Sequence, residues 1–150
     1  MCLDKYAEDI IFIGCGYKDE INQSFMSYNP GLERRFTVRL STQAPTPEGL
    51  NKIYKKLVNE DEWSFSTDFE PSNDFFEERK LAFLFNGGDI ETLYQKTKVA
   101  HARRALRLKP SQKRKINLID MEKGYEMFLQ NDDVKKRLEE ANVSYHMLYT

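Results

Sequence analysis

IIFIGCGYKDEINQSFMSYNPGLERRF, residues 10–36, is the stretch that decides how this chain is read. It opens with an apolar run, residues 10–15, punctuated by Gly14 and Gly16, which predicts a short strand buried on both faces. Tyr17 follows as a polar aromatic at the strand end. Ile21 and Phe25, four residues apart, predict a short amphipathic helix over residues 19–26. Asn29-Pro30-Gly31 is turn chemistry, and Phe36, Val38 and Leu40 alternate as one face of a second strand. Arg34 and Arg35 stand between that turn and that strand. A guanidinium held rigidly there can make a bidentate contact to a phosphate or carboxylate of a neighbour. A pair of surface arginines that merely solubilises a turn is the competing reading.

Beyond residue 40 the character changes. Residues 41–47 carry no charge and two prolines, and form the clearest boundary in the chain. Thr46-Pro47 predicts a helix start, with Leu50, Ile53, Tyr54 and Leu57 on one face. An acidic loop over residues 59–71 holds the single tryptophan, Trp63. A second helix is expected over residues 73–85, with Phe76, Leu81 and Leu84 among its apolar positions. Asn86-Gly87-Gly88 breaks it, and Asp89 is placed to cap a long third helix reaching Leu108. Asn117-x-x-Asp120 has the spacing of a capping box, followed by Leu118, Met121, Tyr125, Phe128 and Leu129 at helical intervals. Residues 132–142 predict a charged, exposed terminal helix. The fold class is thus mainly α with a short β portion of about two strands, followed by a bundle of four or more helices. The expected division is 1–41, 42–131 and 132–150.

Composition bounds the function. The 150 residues carry 23 Lys+Arg against 24 Asp+Glu, with 40% hydrophobic and 31% charged residues, which excludes a disordered or fibrous chain. A chain of this length buries roughly 70% of its unfolded surface, enough for a core without staples. No apolar run approaches the roughly 20 residues needed to cross a bilayer, so no membrane association is expected. Two cysteines, Cys2 and Cys15, form no disulfide or zinc framework and suggest a reducing, cytoplasmic compartment. No metal ligand set is read. His101 and His146 are too far apart for a local motif, and His101 reads as a buried, satisfied histidine more than a ligand or base. The carboxylates of residues 60–62 read as a solvated helix end. There is no G-x-x-x-x-G-K-[ST] and no apolar strand ending in Asp-Glu.

The near-zero net charge conceals an asymmetry. Residues 48–78 hold nine acidic and three basic side chains, whereas residues 79–115 hold two acidic and eleven basic ones. Either the two stretches face each other or the basic one has an anionic partner. Lys96, Arg103, Arg107, Lys109, Lys113, Arg114 and Lys115 would be the footprint of nucleic-acid binding, a lesser reading because no aromatics are interleaved.

Residues 16–36 resemble the segment that follows the fourth core strand in AAA+ ATPases. The likeness is greatest to the Rubisco-activase-like and stage V sporulation K-like subgroup, through NPGL-x-x-RF. NGGDIETLYQKTKVAHARRAL, residues 86–106, resembles the lid helix of the sensor-2 region, and KINLIDMEKGYEMFL, residues 115–129, the lid helix after it. ATPases of large DNA viruses share similar wording. The resemblance covers residues 8–130 and implies a C-terminal piece of an AAA+ α/β core followed by the helical lid. It implies that Arg35 is an arginine finger acting in trans, that Tyr17 occupies the sensor-1 position, and that Gly87, Gly88 and Asp89 form the lid turn near adenine. Where the family has a sensor-2 arginine, Gly88-x-x-Glu91 places a carboxylate, with Lys96 or Lys98 as substitutes. The family's P-loop and Walker B strand are expected N-terminal to Ile10, and this chain carries neither. ATP and Mg²⁺ are accordingly expected only in the full module. The implied partners are homo- or hetero-oligomeric AAA+ ring subunits and a protein client. A non-enzymatic helical interaction module is the alternative, with its unpaired apolar strand as the sticky edge.

Overall fold

Side-chain N-caps start three of the helices in the computed structural model, which describes residues 10–106 and 109–148. Cys2, Arg107, Leu108 and the side chain of His146 lie outside the described residues. The chain divides into two units, Met1–Gln43 and Ala44–Thr150.

In the first unit, α1 (Lys18–Glu20) starts where Ile21 N–H donates to Tyr17 O at 2.9 Å, and it widens into π-type turns over Ile21–Met26. Asn29 then folds the chain. Its Oδ1 accepts from Gly31 N–H at 2.8 Å and its carbonyl from Leu32 N–H at 2.9 Å, starting the single-turn helix α2 (Gly31–Arg35). Leu32 is buried, and Phe36 packs edge-on against Phe25 with ring centroids 5.5 Å apart. The two strands expected in this unit do not form. Residues 10–14 and 36–40 form no ladder, and Ile11, Ile13, Val38 and Leu40 are 78–93% exposed. A strand exists only through hydrogen bonds to another strand, and no described residue supplies one to either segment.

The second unit is a helical bundle closed by a small parallel sheet. Thr46 Oγ1 accepts from Gly49 N–H at 3.2 Å, and Pro47 opens α3 (Pro47–Glu60). Ser72 caps α4 (Asn73–Glu78) through Phe75 N–H. This helix is shorter than the apolar spacing predicts. It gives way after Glu78 to a 3₁₀ turn, Lys80–Ala82, so Ala82 and Phe83 face inward while Leu81 and Leu84 point out. At this junction the Arg79 guanidinium sits 4.2 Å over the Phe75 ring and 5.3 Å from that of Tyr125. α5 runs over Gly87–Ala105, starting two residues before Asp89 and ending before the expected Leu108. The capping box forms as read: Asp120 N–H donates to Asn117 Oδ1 at 3.0 Å and Asn117 N–H to Asp120 Oδ2 at 3.1 Å, opening α6 (Leu118–Leu129). The last helix, α7 (Asp132–Leu148), is longer than predicted, and it is not an exposed helix throughout, because Val134 is buried in the core with Leu138 packed against it.

Two-residue strands β1 (Ser64–Phe65) and β2 (Lys115–Ile116) pair in parallel, Ser64 opposite Lys115 and Phe65 opposite Ile116. They lie elsewhere than the strands read from sequence. The core between the helices is aromatic: Tyr54 packs against Phe65, Phe76 and Tyr94 at centroid distances of 6.0–6.3 Å, and Phe83 stacks on Phe128 at 5.5 Å. Each such pair adds about 0.5–1.5 kcal/mol to the burial of its area.

Candidate functional site

The arginine turn of the first unit is built by its own backbone. Arg35 Nη1 donates to Gly31 O at 3.0 Å, folding the side chain along α2. A Cβ at position 31 would fall 2.7 Å from that nitrogen, so glycine leaves room for the guanidinium. Arg34 and Arg35 occupy the last turn of α2 and are both exposed, and together with Pro30 and Gly31 they line a surface recess. Cations in a last turn are favoured by the carbonyls left unpaired there. Arg39 reaches Glu33 at 3.4 Å across the same turn. The arrangement offers positive charge at an edge, able to meet a phosphate or carboxylate. Tyr17 is exposed at the start of α1, eighteen positions before Arg35 in the sequence.

The glycine turn of the second unit is held differently. Asn86 adopts φ +50°, and neither Gly87 nor Gly88 would bring a Cβ within 4 Å of another group. Space is therefore open on that edge. Asp89 is buried, and its Oδ2 accepts from Phe85 N–H at 2.7 Å. Arg137 of α7 grips the same carboxylate with Nη1–Oδ2 2.9 Å and Nη2–Oδ1 3.0 Å. Asp89 thus serves the turn from inside the helix rather than as its N-cap. Arg137 was not legible from its neighbours, since its partner lies 48 residues away. Glu91 is exposed, Lys96 half-buried, and Lys98 pairs with Asp61 at 2.7 Å.

Deeper in the bundle, His101 Nδ1 meets Asp120 Oδ2 at 3.0 Å, and Arg104 donates Nε to Oδ1 at 2.8 Å and Nη2 to Oδ2 at 2.6 Å. Arg104 Nη2 also lies 3.2 Å from His101 Nδ1, so carboxylate, guanidinium and imidazole form one cluster. His101 Nε2 is buried without a partner, and Trp63 stands edge-on to the ring at 4.9 Å. The histidine is buried as read, with one nitrogen of two satisfied. Burial pushes the Asp120 carboxyl up, but hydrogen bonds from Arg104, His101 and Asn117 N–H outweigh it and hold it below the usual range.

Two long-range ion pairs join the acidic and basic stretches. Lys98 meets Asp61, and Arg114 meets Glu62 at 3.3 Å. Hydrogen bonds from Lys98 and Tyr94 keep the Asp61 carboxyl below its ordinary value. Among the described residues no group of three His, Cys, Asp or Glu is placed to hold a metal, and no helix is long and apolar enough to cross a membrane.

Sequence comparison relates the chain to AAA+ proteins of the Rubisco-activase-like kind. It is 35% identical over 149 residues to a cfxQ-like protein of Acanthamoeba polyphaga mimivirus, covering 98% of this chain and 36% of that protein. It is 27% identical over 102 residues to the chloroplastic ribulose bisphosphate carboxylase/oxygenase activase of Cyanidioschyzon merolae, covering 67% of this chain and 33% of that protein. The chain spans about a third of the length of these relatives. No family model matches it, and no solved structure matches it.

Proposed function

We propose that this chain is the arginine-finger and lid portion of an AAA+ ATPase that couples ATP hydrolysis to remodelling of a protein or nucleoprotein client. The observation that carries the reading is α2: NPGLERRF folds into a single turn stapled by Asn29, with Arg34 and Arg35 at its exposed end. In a ring of such subunits Arg35 reaches the γ-phosphate of ATP held by the adjacent subunit. Its guanidinium offsets charge that develops as the phosphoryl group transfers, an effect worth about 10³–10⁵ in rate. The open edge at Gly87 and Gly88 takes the adenine side, and the P-loop and magnesium ligands come from outside this chain.

Two measurements test the reading. The purified 150-residue chain should neither bind ATP at micromolar concentrations nor turn it over, and either activity sinks the proposal. In an assembly with subunits that hold the P-loop, Arg35→Ala should abolish hydrolysis and spare nucleotide binding. Hydrolysis that survives the substitution removes the finger assignment.

A further inference from the structure

The glycine turn and the last helix are joined by one of the most enclosed ion pairs among the described residues. Only 12% of the Arg137 side chain and 6% of the Asp89 side chain remain exposed. The guanidinium is fixed on every side. It forks onto both Asp89 oxygens, bonds Asp133 through Nε to its carbonyl at 3.2 Å and Nη2 to its carboxylate at 3.1 Å, and lies 4.2 Å over the Phe85 ring. α7 itself is anchored by Val134, which is buried in the core, with Leu138 packed against it. Asp89 in turn holds the amide of Phe85, the residue that leads into the left-handed Asn86. A planar fork matched to a carboxylate sets position and angle together, which a lysine cannot do.

We infer that Arg137 is a positioning residue for the Asn86–Gly87–Gly88 turn: through Asp89 and Phe85 it makes α7 the element that sets the shape of the open glycine edge. The link to nucleotide rests on the function proposed above; the mechanical link does not. With Arg137 removed, Asp89 keeps a buried charge without its cation and the Phe85 amide loses a fixed acceptor. The turn then samples other conformations while α3, α5 and α6 remain packed. Nucleotide affinity is the property this changes, since the phosphate-facing arginine turn lies in a different part of the sequence.

The test compares Arg137→Gln and Arg137→Lys in the full chain by amide hydrogen exchange. A hydrogen bond to a charged group is worth about 1.5–3 kcal/mol, so the Phe85 amide should exchange about 10- to 100-fold faster in Arg137→Gln. Arg137→Lys, which keeps the charge without the fork, should fall between and guards against a glutamine variant that fails to fold. Unchanged exchange at residues 85–90 in a folded variant overturns the inference, as does a loss of protection spread equally over α3 and α6. In the assembly with P-loop subunits, the same variants should raise KM for ATP several-fold with kcat retained, the opposite of Arg35→Ala. Faster exchange at the turn with KM unchanged leaves the latch standing and overturns the placing of nucleotide at this edge.

Discussion

His101 and Asp120 meet at 3.0 Å with side chains only 2% and 1% exposed, and Arg104 closes the other side of the carboxylate. One aspartate therefore caps α6, orients a buried imidazole and neutralises a half-buried guanidinium. Asp120→Ala withdraws all three at once. Breaking a buried pair by removing one partner costs about 3–5 kcal/mol, and a loss of that size should appear as a lower denaturant midpoint at unchanged slope. A loss below about 1 kcal/mol, the value of an exposed pair, would show that water reaches the cluster.

The same carboxylate gives stability a definite dependence on acid. Its folded value is depressed, so the stabilisation is complete above the unfolded aspartate value of about 3.9 and is lost as pH falls through the lower folded value. Unfolding free energy should be flat with respect to this group above about pH 5 and decline below about pH 4. In Asp120→Asn that decline should be shallower. An identical acid limb in both proteins would assign it to other carboxylates.

Gly124 in α6 lies against α5 so closely that a Cβ would stand 2.7 Å from the backbone N and Cα of Thr97 and 2.6 Å from its Oγ1. Gly124→Ala raises helix propensity by about 1 kcal/mol, yet the clash is with backbone and the helices must part. A net loss of about 1–3 kcal/mol is expected in thermal or chemical unfolding. Thr97→Ala should not rescue it, because only the Oγ1 contact is relieved.

Gly87 and Gly88 behave oppositely. Both have negative φ and empty space where a Cβ would stand, at the start of a helix. Gly87→Ala and Gly88→Ala should leave stability unchanged or raise it by up to about 1 kcal/mol. If this edge receives a nucleotide, the same substitutions should weaken ATP-dependent turnover in the assembled enzyme. Full turnover from both variants would show that the glycines serve no ligand.

What the sequence disclosed and what it withheld divide by range. Thr46-Pro47 and Asn117-x-x-Asp120 announced α3 and α6 because a cap is made by residues three apart, and both caps form with the expected partners. The second helix was overrun because apolar spacing continues past Glu78 although the backbone leaves the helix at Arg79. Ile11 and Val38 looked like strand residues, but strand formation is decided by a partner backbone and not by the side chains themselves. β1 and β2 escaped notice because two residues carry no period. At the candidate sites, Arg34 and Arg35 were legible through a local motif. Arg137 was hidden because its significance comes from Asp89, far along the chain and on another helix.

The parallel register of Phe65 with Ile116 also orders events during synthesis. α3 and α5 can meet as soon as both have emerged, but β1, in the acidic loop between α3 and α4, has no strand to pair with until Ile116 is made. Non-local pairings of this kind close late, after the entropy of a long intervening loop has been overcome. Until then Phe65 has no strand beside it, and its ring partners within reach are Tyr54 and Phe69. The two-stranded sheet of the described residues is thus completed only after the whole of α5 has been made.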